Sequence, residues 1–203
     1  MAVTDRQEEP APPATGIARW LDRWGTAASF VWGFAEATLF FIVPDVIVGA
    51  VALVAPRKAL RAAAAAVAGA VVASVALFAW ANAWGQTARA AIAAVPAVHP
   101  WMFADAARGL ADHGGVVMIT SAFTGIPYKV WAFEMVVENW TLPSLMAWTI
   151  PARALRLGLV AGGAGLVGWF GRRRIMVGPW LVLGVWLAIW VAIYVEYWTR
   201  VGL

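Results

Sequence analysis

The chain has 203 residues, 63% of them hydrophobic and 13% charged, with 14 tryptophans and a net charge of +4. That composition excludes an ordinary soluble domain and points to an all-α integral membrane protein, one domain with room for about three to five spanning or half-spanning helices of roughly 20 residues each. The lack of cysteine removes disulfides, thiolate nucleophiles and cysteine-ligated metals, and the positive charge reads as a bias of Lys and Arg toward the cytoplasm rather than as a nucleic-acid surface.

Residues 1–16, MAVTDRQEEPAPPATG, are polar, proline-rich and without aromatics. They bury too little surface to order themselves and are expected to be a disordered cytoplasmic tail ahead of a single transmembrane domain, 17–203. A cleaved signal peptide fits less well, because Glu36 interrupts the apolar run after Arg23 and no small-residue cleavage site closes it.

The apolar region between Arg23 and Arg57 is long for one crossing and short for two, and Pro44-Asp45 breaks it near the middle. A helix break frees carbonyls that lipid cannot satisfy, so it belongs inside protein or beside water. Ala62 to Trp84 reads as a spanning helix. Val98 to Asp112 has the pattern of a short amphipathic surface helix, with Trp101 and Phe103 in lipid and Asp105, Arg108 and Asp112 in water. Gly114 to Leu142 repeats the awkward length, with its break at Pro127-Tyr128. Ser144 to Phe170 and Val177 to Tyr197 are again long enough to span.

These lengths predict two re-entrant helical hairpins and about three transmembrane helices. If the first hairpin opens to the cytoplasm and the second to the outside, Arg6, Arg19, Arg23, Arg57, Lys58, Arg61, Arg172, Arg173 and Arg174 fall inside, and Arg89, Arg108 and Arg200 fall outside. That is the asymmetry the positive-inside tendency demands, with the N-terminus cytoplasmic. Two opposed units of hairpin plus helix resemble the inverted-repeat plan of secondary transporters.

Seven ionisable residues are left at membrane depth: Glu36, Asp45, Lys129, Glu134, Glu138, Arg153 and Arg156. A charge at the bilayer centre costs about 2.5–3.5 kcal/mol on insertion scales, so these residues must face one another or water. Arg153 and Arg156 are three apart on one helical face, with forks suited to carboxylate or phosphate oxygens. Glu36 and Asp45 are their natural partners, or proton carriers. Lys129 beside the Pro127 break supplies a cation to a polar cavity, which Glu134 is expected to balance, either against Lys129 or against Arg153. Snorkelling tryptophans at span ends, including Trp198, and small-residue pairs at Gly158/Gly162 and Ala161/Gly165 read as interface anchors and helix packing. His99 and His113 have no ligand cluster around them, so neither metal nor cofactor is expected.

The segments AEATLFFIVPDVIVGAVALVAPRKAL (35–60), DHGGVVMITSAFTGIPYKVWAF (112–133) and IPARALRLGLVAG (150–162) resemble the DedA family, the SNARE-associated or VTT-domain membrane proteins, and within it the YqaA-like branch. The resemblance covers about 30–170 and omits the tail and the C-terminal helix at about 177–197. It implies opposed re-entrant hairpins and lipid movement in a bacterial cytoplasmic (inner) membrane, with phosphate-bearing lipids such as undecaprenyl phosphate or phospholipids as partners and protons as a coupling ion. Glu36, Asp45, Lys129, Arg153 and Arg156 would be the functional residues, and the oligomeric state stays open. The competing expectation is a structural membrane protein whose buried ion pairs only hold the hairpins. An enzyme is not expected, since no Gly-x-Ser-x-Gly, His-Glu-x-x-His or histidine cluster is present.

Overall fold

The computed structural model describes residues 16–121, 125–174 and 178–201. The expected tail therefore lies outside the described residues, apart from Gly16, which opens the first helix. All regular structure among the described residues is helical. Three helices are long and apolar enough to cross a membrane, at Pro56–Ala93, Leu142–Gly171 and Trp180–Arg200, and they mark the chain as a membrane protein. They coincide with the three unbroken apolar runs of the sequence.

Helix α1 (Gly16–Thr38) is followed by a non-helical stretch and by α2 (Asp45–Val54). Gly25 of α1 lies against Val51 of α2, the Trp32 indole donates to the Ile42 carbonyl at 3.0 Å, and Lys58 pairs with Asp22 at 2.9 Å. These contacts run in opposite order along the two arms, so the unit folds back on itself, with Asp22 and Lys58 at its mouth and residues 39–44 at its tip. At about 1.5 Å per residue the ten residues of α2 span about 15 Å, half the hydrocarbon thickness.

Helix α3 (Ala59–Ala93) lies along α1 through a seam of small residues. Ala62, Ala66, Ala70 and Ala73 are buried on it, and the backbones approach so closely that a Cβ on Gly33 would run into the Ala66 carbonyl and one on Gly69 into that of Phe30. Small residues bring helices together where no hydrophobic force distinguishes side chain from lipid. The predicted end of this helix, Trp84, is instead a kink with φ −143° and ψ 57°, past which the helix continues to Ala93.

The second bent unit begins earlier than the sequence suggests. Its descending arm is α4 (Pro100–His113), a turn, and α5 (Val117–Thr120), and its return arm is α6 (Tyr128–Val137). Gly109 lies against Trp131, and Phe103 meets Phe133 edge-on at 6.0 Å, again in antiparallel order. The expected surface helix is thus a packed arm: Met102, Phe103, Ala106 and Leu110 are buried, Trp101 alone of the two predicted lipid-facing aromatics is exposed, and Phe103 is not. A one-sided apolar stripe looks the same in sequence whether it meets lipid or protein.

Helix α7 (Leu142–Arg174) carries Pro151, which removes one internal hydrogen bond just before the arginine pair. Of its two small-residue pairs, Ala161/Gly165 packs, with Gly165 against Ala59. A Cβ on Gly158 or Gly162 would meet nothing, so that pair is not an intramolecular contact. Helix α8 (Pro179–Val201) exposes a continuous apolar face including Leu181, Val185, Ile189 and Val191. The buried apolar residues form two clusters: Ala37, Tyr128 and Ala152 belong to one, Ile47 and Leu157 to the other.

Candidate functional site

Each break exposes backbone groups that its own helices cannot satisfy, and side chains from elsewhere meet them. The Phe40 carbonyl, just past the C-terminal end of α1, accepts from Lys129 Nζ at 2.9 Å. Carbonyls at a helix C-terminus carry partial negative charge, so a cation is well placed there. The Val43 N–H donates to the Tyr194 hydroxyl at 2.8 Å; beyond the break itself, the Trp186 indole donates at 2.9 Å to the Val46 carbonyl in the first turn of α2 and ties α8 to it. At the second break Gly125 adopts φ +83°, a left-handed conformation that glycine takes without steric cost. Its carbonyl and that of Ala97 accept from the Tyr197 hydroxyl, at 3.1 and 3.3 Å. Lysine follows Pro127-Tyr128 in the sequence because the first residues of α6 deliver its ammonium to the tip of the other bent unit.

The charged residues converge at the same place. Glu36, on the last turns of α1, accepts from Arg153 of α7 at 2.5 Å across 117 residues of chain. Both side chains are nearly inaccessible, at 4% and 6%. Asp45 opens α2, where the helix dipole favours an acid, and accepts from Arg156 at 2.9 Å. The Arg153 guanidinium also lies over the Tyr128 ring, 4.2 Å from its centroid. The Tyr128 hydroxyl sits in a buried chain with Ser74 (2.6 Å) and Thr149 (2.5 Å) that ties α6 to α3 and α7 and holds the ring beneath the arginine.

Around these groups is a cavity of about 280 Å³. Glu36, Lys129, Arg153 and Arg156 line it, and both breaks contribute, through Phe41 and Val43 and through Gly125 to Tyr128. Asp45 stands behind Arg156 rather than on the wall. Of the predicted break residues, Pro44 and Pro127 immediately precede α2 and α6 and Tyr128 is the first residue of α6.

Glu134 departs from expectation. It pairs with neither Lys129 nor Arg153 and does not line the cavity; at 3.5 Å it faces Arg89 of α3, whose guanidinium covers the Phe103 ring. Five residues beyond Lys129 on a ten-residue helix, it lies on the far part of α6 from the break. Glu138, counted at membrane depth in the sequence, is exposed at the C-terminal cap of α6.

Sequence reasoning placed α8 as a spanning helix but missed its part in the cavity. Trp190, Ile193, Tyr194, Tyr197 and Trp198 complete the cavity wall. Trp186, Trp190, Tyr194 and Trp198 form a ladder of rings 5.9–6.1 Å apart, and Phe41 from the first break touches Tyr194 and Trp198 at 6.2 and 6.0 Å. Trp198 is therefore part of the cavity wall and not only an interface anchor. The signal was available as four aromatics at strict four-residue spacing, one helical face.

The lining carries an excess of positive charge, even with Asp45 paired to Arg156 behind the wall. Three cations and one carboxylate line the wall, and the Arg153 Nε donor is buried without a partner. Among the described residues no group of three metal-ligating side chains occurs. No protein-family model, curated protein or solved structure matches the chain.

Proposed function

We propose that this chain is a membrane transporter of the DedA type that flips or scrambles a phosphate-bearing lipid, with proton exchange at its acids. In this reading the two bent units are re-entrant hairpins that dip into a bacterial cytoplasmic membrane from opposite faces, in an inverted-repeat plan, with the N-terminus in the cytoplasm. The observation that carries it is the meeting of both helix breaks and the Glu36–Arg153 and Asp45–Arg156 pairs around one cavity.

Phosphate oxygens compete with carboxylates for the same guanidinium forks. An entering head group takes Arg153 and Arg156 from Glu36 and Asp45, and each displaced acid binds a proton until the pairs reform. The volume suits a head group, with the hydrocarbon tails left in the bilayer.

Reconstitution into liposomes with fluorescent phospholipids and an undecaprenyl phosphate analogue, with and without a pH gradient, tests the reading. The double variant Glu36→Gln with Arg153→Gln removes both charges together, which for buried pairs is far less destabilising than removing one. It is expected to fold and insert but to lose lipid transfer. Full transfer by this variant ends the proposal.

A second reading has an observation in its favour: the same pairs join α7 to α1 and α2 and brace the fold. If bracing is their only role, purified wild-type protein transfers no lipid, while single substitutions lower its melting temperature.

A further inference from the structure

A lipid whose head group enters the cavity keeps its tails in the bilayer, so one wall of the cavity has to part. The walls are not equally able to do so. Helices α1 and α3 meet backbone to backbone at Gly33 and Gly69. Helix α7 is tied to α1 and α2 by the two charge pairs, and α6 to α3 and α7 by the Tyr128 hydroxyl chain. Helix α8 is held by less. Among its described residues Leu183 alone is buried, and Leu181, Val185 and Val195 are exposed on the face turned away from the cavity. A single helix thus stands between the cavity and lipid, and sparse burial is what lets an element move at low cost.

The attachments of α8 divide it in two. Near its start the Trp186 ring lies against Gly49, Leu183 joins the apolar cluster of α2, and the Trp186 indole donates to the Val46 carbonyl. These contacts form a seat on α2. Beyond Trp186 the helix crosses the cavity, where two tyrosines three residues apart clasp the two breaks. The Tyr194 hydroxyl accepts from the Val43 N–H at the first, and the Tyr197 hydroxyl donates to the carbonyls of Gly125 at the second and of Ala97 beside it. The Phe41 ring meets Tyr194 and Trp198 from the same side. Backbone groups at a break are exchangeable partners, because water or a head group can satisfy them once the helix moves away.

We infer that α8 is the lateral gate of the cavity: it pivots on its α2 seat, its half beyond Trp186 swings toward lipid, and Tyr194 and Tyr197 are the clasp that couples both helix breaks to its closing. The inference rests on the lipid-phosphate reading and adds how that site is reached.

The chain has no cysteine, so introduced pairs are the only thiols. Spin labels on Val195 and on Leu159 of α7, both exposed, follow the far half of α8 in the full chain in detergent; labels on Leu181 and Leu159 follow its seated half. Losing one hydrogen bond shifts an open-to-closed ratio roughly fivefold, so Tyr194→Phe with Tyr197→Phe shifts it roughly 25-fold. Double electron–electron resonance is expected to show a second distance population at Val195 that grows by about that factor in the double variant, with the Leu181 distribution unmoved. One unchanged distribution at Val195 overturns the gate, as does an equal displacement at Leu181, which would mean that α8 detaches as a whole. In Phe41→Cys with Trp198→Cys, replacing rings 6.0 Å apart, a short cleavable thiol cross-linker fastens the gate. Transfer of fluorescent phospholipid in liposomes is expected to fall by about tenfold or more on linking and to return on reduction, a comparison within one protein that misfolding does not imitate. Undiminished transfer by the linked protein overturns the gate and leaves transport standing. If the wild type transfers no lipid, the transport reading falls, and the distances then decide whether α8 moves.

Discussion

Glu36 and Glu134 are the same residue in two hairpin arms, each buried and each facing an arginine, yet they occupy different physical settings. Glu36 and Arg153 are both almost inaccessible, 2.5 Å apart, and they border a cavity. Glu134 is as buried, but its partner Arg89 is half exposed, 3.5 Å away, and spread over a phenylalanine ring. Position along the arm makes the difference. Glu36 sits at the tip of its unit, where the backbone breaks and another unit's cation arrives; Glu134 sits away from the break, where its helix ends near Glu138. Burial of a charge therefore does not by itself place a residue at the cavity, whereas burial together with broken backbone does in this fold.

The contrast predicts a ranking of stabilities in detergent. Removing one member of the tip pair, as in Arg153→Ala, strands a buried carboxylate and is expected to cost about 3–5 kcal/mol. Arg89→Ala, whose guanidinium is half in solvent, is expected to cost no more than about 1–2 kcal/mol. Thermal unfolding of the two variants side by side decides it, and equal losses would dissolve the distinction between tip and base.

Gly69→Val drives a side chain into the Phe30 carbonyl and is expected to cost about 1–3 kcal/mol or to block folding. Gly158→Ala enters open space and should stay within about 0.5 kcal/mol of wild type. Tyr194→Phe leaves the Val43 N–H at the first break without its acceptor, an expected loss of about 1–3 kcal/mol. That loss should fall below that of Arg153→Ala, because no charge is stranded. Small as well is the effect of Lys58→Ala at the mouth of the first unit, where Asp22 is exposed and the Lys58 side chain is 35% exposed. Its effect is expected below about 1 kcal/mol and to vanish in high salt.

What the sequence made legible follows from the same physics. The long spans and the two breaks could be read because length, apolarity and proline act locally. The basic pair at Arg153 and Arg156 and the acids flanking the first break could be read because charges at membrane depth are rare enough to be noticed. The match of Glu36 to Arg153 and of Asp45 to Arg156, and the placing of Lys129 on the Phe40 carbonyl, needed the fold. So did Glu134, since a carboxylate five residues from a lysine lies on a neighbouring face as easily as on the same one. The part that α8 plays in the cavity wall was hidden for another reason. Tryptophan at the ends of spans is so common an interface anchor that a ladder of them facing inward reads as ordinary, although its four-residue spacing set it apart.

The central claim is that an acid at the tip of the first bent unit and a base on α7 form one buried pair at the junction of the two breaks. A double-mutant cycle on Glu36→Gln and Arg153→Gln measures that pair directly by unfolding in detergent. The account predicts that each single change is costly and the combination is not, with a coupling of about 2–3 kcal/mol. Strictly additive losses would mean that the two side chains never meet, and the cavity built around them would have no basis.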